Sequence, residues 1–294
     1  MRATDSAVAA LVRVLFALVR LLGPDRAGAL GSWVARRFGP WLKPHRIALD
    51  NIRHAFPERP AAEHERIALE AWENLGRTAA EYVHLDRIWD FDLGRTAAGR
   101  IEISPEVQAR FRALQEDGKP ALLFAAHLAN WELPAVAAAK HGLPSAVLYR
   151  TPNNAAVARD IVALRESIMG RLIPASVTAP IRMLEALDQG LHVGMLIDQR
   201  FSRGPRVPFM GRPTYSNPLL ARMARRFDCP VHGARAIRLP GGRFRLELTE
   251  AVSLPRDANG KVDVDAATAL LNRIVEGWVR EYPGQWLWMH RRWR

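Results

Sequence analysis

Cysteine occurs once in the 294 residues, at Cys229, so no disulfide can form within the chain and a structural zinc site built on two or more cysteines is excluded. Lysine is nearly as scarce. The 42 basic residues include only Lys43, Lys119, Lys140 and Lys261, and they outnumber 30 acidic residues to leave a formal charge of +12. Arginine therefore carries the positive charge, and its planar guanidinium suits bidentate contact with phosphate or carboxylate. Charge alone does not choose among an anionic lipid, an acidic carrier protein and a nucleic acid. No recognised nucleic-acid module occurs and aromatic residues are not interleaved with basic ones over a long stretch, so no nucleic-acid partner is expected. Gly-x-Ser-x-Gly is also missing, which removes the serine elbow of the α/β-hydrolases. There is no internal repeat, no low-complexity segment, and no clean apolar run of the ~20 residues that a spanning helix needs. What is present in quantity is hydrophobic content, 49%, ample for a buried core.

The longest apolar stretch, Ala7 to Gly23, is interrupted by Arg13 and Arg20, seven residues apart and so on one helix face. It reads as a helix lying in a membrane interface, a better fit than crossing, with Arg20, Arg26, Arg36 and Arg37 keeping the body on the cytoplasmic side. Residues 1–40 are expected to form this membrane-associating helical segment and residues 41–294 a single α/β domain. Residues 45–85 are expected to be largely helical, with Trp72, Leu75, Ala79 and Tyr82 on one apolar face and a break at Pro57 and Pro60. From residue 121, strands alternate with helices: Ala121 to Ala126, Ser145 to Tyr149, His192 to Ile197 and Pro230 to Leu239 read as strands. Pro240-Gly241-Gly242 turns the last of these into Arg243 to Leu248 as an antiparallel hairpin. A helix from Asp263 to Glu281 and a final aromatic strand from Gln285 to His290 complete a mixed, mostly parallel sheet flanked by helices, an α/β fold.

In such sheets ligands gather beyond the carboxyl ends of the strands. Three polar groups fall there: His127, Arg150, and Asp198-Gln199-Arg200. Asn130 is a favoured N-cap type, which places Trp131 and Glu132 in the first turn of the helix that follows. On one continuous helix His127 and Glu132 would point ~140° apart, given 3.6 residues per turn, but a loop between them can fold them together. His127 is then a candidate general base. Glu132, kept ionised by the helix dipole, is expected to orient the imidazole and stabilise its charged form. The charge developing on a carbonyl under attack needs a donor, for which Arg150, Arg165 and the backbone amides near Asn130 are candidates. Arg200, Arg203, Arg206 and Arg212, around Gly204 and Gly211, make a basic rim. The same histidine and carboxylates, His127, Glu132 and Asp198, also suggest metal ligands of a hydrolase. However, His-x4-Glu lacks the His-x3-His helical spacing of the common zinc site.

Several segments together resemble the late acyltransferases of lipid A biosynthesis, the lauroyl and myristoyl transferases, over about residues 45–294. They are Asn51-Ile-Arg-His-Ala-Phe-Pro-Glu, His127-x-x-Asn130-Trp131-Glu132, Tyr149-Arg150 followed by Asn154, Asp198-Gln-Arg through Val207-Pro-Phe-Met-Gly211, and Tyr282-Pro-Gly-Gln-Trp-Leu-Trp-Met-His-Arg-Arg-Trp293. The resemblance implies transfer of a fatty acyl group from acyl carrier protein to a hydroxyl of a lipid A precursor at the inner membrane, with the catalytic domain on the cytoplasmic side. It implies no cofactor and no metal, and an anionic glycolipid acceptor. Another glycolipid acceptor, or a coenzyme A thioester as donor, fits the same residues. The chain departs from the family pattern at Ala155, at Met210 and at Val231-His232-Gly233. These positions are expected to shape the acyl or acceptor pocket.

Overall fold

A computed structural model of the chain describes residues 3–92, 99–151 and 155–293. Helices α1 (Ala3–Leu21) and α2 (Gly23–Phe38) lead through a 3-10 turn, Gly39–Trp41, into α3 (Lys43–Ala55) and α4 (Ala61–Glu81). After the short α5 (Leu85–Ile88) come β1 (Ile101–Ile103) and α6 (Pro105–Glu116). An alternating run follows: β2 (Leu122–Ala125), α7 (Leu133–Lys140), β3 (Ser145–Tyr149), α8 (Ala155–Met169), β4 (Arg171–Pro174), α9 (Ala179–Asp188) and β5 (His192–Leu196). A two-stranded ribbon, β6 (Arg206–Phe209) and β7 (Arg212–Tyr215), precedes α10 (Leu219–Phe227), the strands β8 (Val231–Leu239) and β9 (Arg243–Leu248), and α11 (Val264–Glu281).

The main sheet has the order β1-β9-β8-β2-β5-β3-β4. Its neighbours run parallel except at the β8–β9 hairpin, where Gly241 and Gly242 both adopt positive φ, as a tight turn requires. Helices cover both faces. Alternate residues of the central strands, among them Leu122, Phe124, Val193, Met195 and Ala146, point into a large core shared with α3, α4, α9, α10 and α11. The opposite face is covered by α6, α7 and α8, whose apolar residues join two smaller clusters.

Three expectations are corrected. Gln285 to His290 does not form a strand. A 3-10 turn, Pro283–Gln285, is followed by irregular chain with a single bridge between Leu128 and Trp286. Side chains hold this segment instead of a neighbouring strand: the Asn51 Nδ2 amide donates to the carbonyls of Trp288 at 2.8 Å and His290 at 2.7 Å. On α4, Ala79 is exposed, and the buried residues near the helix end are Asn74, Thr78 and Glu81. Trp72 is buried as expected, but toward the helix end polar residues with partners occupy the covered face. Finally, α7 begins at Leu133 with Glu132 at its N-cap, so Asn130 lies in the loop before it.

Two of the N-terminal arginines are paired with acidic residues of the body. Arg13 binds Asp160 of α8 at 2.7 Å and Arg20 binds Asp86 of α5 at 2.7 Å, so both turn toward the body. The side of α1 left exposed carries Leu11, Leu15, Leu18 and Leu21, and the exposed side of α2 carries Leu30 and Trp33. No helix among the described residues is long and apolar enough to cross a membrane. α2 packs closely along α4 where Gly31 meets Gly76, because a Cβ on either glycine would strike the carbonyl of the other.

Candidate active site

Strands β2 and β5 are parallel neighbours with Ala125 opposite Leu196. Two residues beyond that pair, His127 and Asp198 therefore emerge side by side at the same sheet edge. Asp198 is buried and accepts three hydrogen bonds: from His127 Nδ1 at 2.8 Å, from the His127 backbone N–H at 2.9 Å and from Trp286 Nε1 at 2.7 Å. An ionised carboxylate only accepts, so the imidazole proton sits on Nδ1 and the Nε2 lone pair is left free. The Gln199 side-chain amide lies 3.4 Å from Nε2, consistent with a weak donor to that lone pair.

The electrostatics follow from this geometry. Burial raises the cost of the Asp198 charge, but the adjacent imidazole and the donated hydrogen bonds outweigh it, and the carboxyl is held down at about 2. Burial likewise opposes charge on His127. Asp198, by its charge and its hydrogen bond, with a further contribution from Glu132, still raises the imidazole above its ordinary value. His127 is thus a strengthened base.

Glu132 does not orient His127; Asp198 does. The Glu132 carboxylate instead accepts a short hydrogen bond from Arg165 of α8, whose guanidinium also lies near the rings of Tyr82 and Tyr149. The helix start explains the change of partner. With Glu132 at the N-cap, the loop from 127 to 132 makes a compact turn in which the Asn130 carbonyl accepts from Leu133 N–H and the Asn130 Oδ1 accepts from Glu132 N–H. That turn leaves Asp198 as the carboxylate bonded to His127.

The turn is strained and held from two sides. Ala129 has φ 49°, a left-handed conformation that a non-glycine residue adopts at a cost of roughly 1–3 kcal/mol. Its N–H donates to the Gln285 carbonyl at 2.9 Å, and its carbonyl accepts from Thr78 Oγ1 at 2.9 Å and Asn74 Nδ2 at 3.2 Å. Glu81 accepts from Asn130 Nδ2 at 3.0 Å and pairs with Arg238, which also donates to Asn74 Oδ1 at 2.9 Å. Leu287 N–H donates to the His127 carbonyl at 3.0 Å. The buried polar stripe of α4 and the C-terminal aromatic segment therefore serve one purpose, fixing the loop that carries His127. Sequence reasoning missed Asn74, Thr78 and Glu81, because a polar residue on a helix face looks solvated until its partner is known, and missed Arg238 and Trp286, whose partners lie far off in the chain.

His127 opens onto a cavity of about 440 Å³ between the sheet and helices α7 and α8. Glu132, Arg150, Arg165, Gln199 and Arg200 line it with His127, as does Trp131, whose ring centre is 5.2 Å from the imidazole. Below the histidine the walls are largely apolar, including Leu123, Val147 and Leu172, down to His192 and Ser145 at the far end. Asn130 is buried beneath the loop. At Gly204 the small residue has a packing reason, since a Cβ there would collide with the carbonyl of Ser216. Asn154 lies outside the described residues. Met210 and Val231 to Gly233 do not line this cavity, so they do not shape it as an acyl pocket: Met210 turns β6 into β7, and Gly233 makes room for the rings of Phe124 and Trp278.

Among the described residues no group of three His, Cys, Asp or Glu side chains is placed to hold a metal ion. A base with a free lone pair, backed by a buried carboxylate, at the mouth of an apolar cavity is suited to deprotonating a hydroxyl beside a long-chain acyl group. Comparison with known proteins agrees: a family model described as bacterial lipid A biosynthesis acyltransferase matches residues 1–294, the whole chain. No curated protein matches the sequence. The chain, an acyltransferase, belongs to the bacterial lipid A biosynthesis acyltransferase family.

Proposed function

We propose that the protein moves a fatty acyl group from a thioester on acyl carrier protein to a hydroxyl of a lipid A precursor, working on the cytoplasmic side of the inner membrane. The observation that carries this reading is the His127–Asp198 pair at the mouth of an apolar cavity. The acyl chain occupies the cavity with its thioester carbon near His127. As the acceptor oxygen attacks that carbon, His127 Nε2 takes the hydroxyl proton, and Asp198 stabilises the imidazolium that results. The tetrahedral intermediate collapses with cleavage of the carbon–sulfur bond. The departing thiolate receives the proton from Nε2, which leaves ester, thiol and neutral histidine. No covalent acyl-enzyme is needed.

Arg165 and Arg150, both lining the cavity, are the side-chain donors proposed for the oxyanion. The Nε–H of Arg165 is buried and has no partner among the described residues. Arg203, Arg206 and Arg212 are exposed on the ribbon and the loop before it, have no ion pair among the described residues, and suit the acceptor's phosphates. Membrane docking is proposed through the apolar side of the N-terminal helices, where Leu21 is 83% and Trp41 70% exposed. The outward leucines and tryptophans match a protein lying on a bilayer, with the arginines folded back onto acidic partners.

The test is transfer itself. Purified protein, vesicles carrying an under-acylated lipid A precursor and acyl carrier protein loaded with labelled fatty acid should give labelled lipid. Parallel reactions with coenzyme A thioesters and with other glycolipid acceptors identify donor and acceptor. No labelled lipid under any combination would sink the proposal.

A further inference from the structure

Gly194 stands in the middle of β5, in register with Leu123 of β2 on one side and Val147 of β3 on the other. All three line the cavity beneath His127. Its φ lies outside the left-handed region, so the backbone there tolerates any residue. A Cβ at this position would meet nothing within 4 Å, so packing does not demand glycine either. Glycine in a strand interior weakens the strand and commonly marks close approach of a ligand. Here the missing side chain is cavity volume.

Side chains on this face of the sheet form rows across the strands, spaced by two residues or ~6.6 Å. The upper row, nearest His127, is Ala125 and Leu196; the middle row is Leu123, Gly194 and Val147. In the row below, His192 faces Ser145, and both line the cavity. His192 Nδ1 and Ser145 Oγ are buried without hydrogen-bond partners among the described residues. An alkyl chain descending past Gly194 therefore reaches a polar floor, which a methyl end does not solvate.

Sideways, the cavity is walled off from a second apolar space of about 60 Å³. The two share Leu123, Pro134, Ala138, Leu143 and Ala234 as lining. Leu143 is the larger of the two buried aliphatic side chains in that partition outside the strands, the other being Ala138 of α7. Behind it the second space continues along Phe111, Leu114 and Leu248.

We infer that Gly194 and Leu143 set the length of the acyl chain this enzyme accepts, Gly194 by leaving depth open and Leu143 by closing off the space behind. The inference rests on the acyl-transfer reading above. It divides the cavity into a reactive end, where His127 acts on any thioester, and a measuring end two rows away.

The experiment supplies the full chain with saturated acyl thioesters of increasing length, one acceptor held constant, and products weighed by mass spectrometry. Gly194→Leu should keep transfer of shorter chains and lose the longest native substrate, by ~10- to 200-fold for each methylene it excludes. Leu143→Ala should extend the range toward longer chains. Thermal melts verify folding, and Gly194→Ala gives a milder block should leucine disturb the strand. Opposite shifts in chain preference support the inference. An unchanged ranking of chain lengths in folded variants, or an equal loss for every length, overturns it while acyl transfer stands. Absence of transfer by the unsubstituted protein with every thioester defeats the acyl-transfer reading instead.

Discussion

The two faces of strands β2, β3 and β5 are built from alternate residues of the same short segments, yet they meet opposite fates. On one face Phe124 is fully buried and stacks on Trp278 at 5.5 Å, with Val193, Met195 and Ala146 around it. On the other, Leu123, Gly194 and Val147 border a cavity of about 440 Å³. Because side chains alternate along a strand, one stretch of sequence can place stability on one side and a binding site on the other. The difference teaches that an apolar residue in these strands is not automatically core. Parity decides whether its side chain is directed into the packed core or toward the cavity.

That contrast can be broken by substitution. His127→Ala, at the open face, should reduce turnover by about 10⁴-fold, the upper range of general-base catalysis, with the thermal melt little changed. A variant retaining substantial transfer would remove His127 as the base. Phe124→Ala, on the packed face, should cost about 3–5 kcal/mol of stability while leaving chain-length preference as it was. Chemical denaturation measures the first, and a shift in preferred chain length would show that the faces are not separate.

Asp198→Asn should lower turnover by about 10²-fold or more, because the base remains but loses its charge partner and fixed tautomer. Glu132→Gln is expected to act differently, through the placing of Arg165. Equal pH profiles for the two variants would place both carboxylates in one role. The pH profile supplies the smallest and most diagnostic effect. Since Asp198 raises the His127 pKa, the imidazole protonates, and kcat/KM falls, on descending through a value above the ordinary ~6.5. Asp198→Asn removes the raising influence, so the surviving activity should lose its acid limb to lower pH. A limb that stays in place would mean that another group titrates.

A good part of the molecule was legible in its residues. The short apolar runs ending in His127, Arg150 and Asp198 are parallel strands, and those three side chains do gather at one sheet edge. The hairpin at Gly241-Gly242 and the helix capped by Asp263 were equally plain, since turn glycines and an N-cap carboxylate act locally. Illegible was the pairing. His127 and Asp198 meet because β2 and β5 are neighbours in a particular register, and spacing within His-x4-Glu favoured Glu132 instead. The aromatic C-terminus was misread for a related reason: period-two alternation marks a strand only where another strand offers its edge. Among the described residues Trp286 and Trp288 alternate with partly exposed neighbours, but loop, α4 and Asn51 surround them in place of a ladder.

The sequence by itself determined the alternation of strands and helices, the residue type poised to act as a base, and the dominance of arginine, because propensity, periodicity and composition are local properties. The tertiary structure alone decided which carboxylate serves that base, which polar residues of α4 brace its loop, and that the missing side chain of Gly194 is space for a ligand. Each of these depends on what stands opposite, and distance in the chain carries no information about that until the sheet has formed.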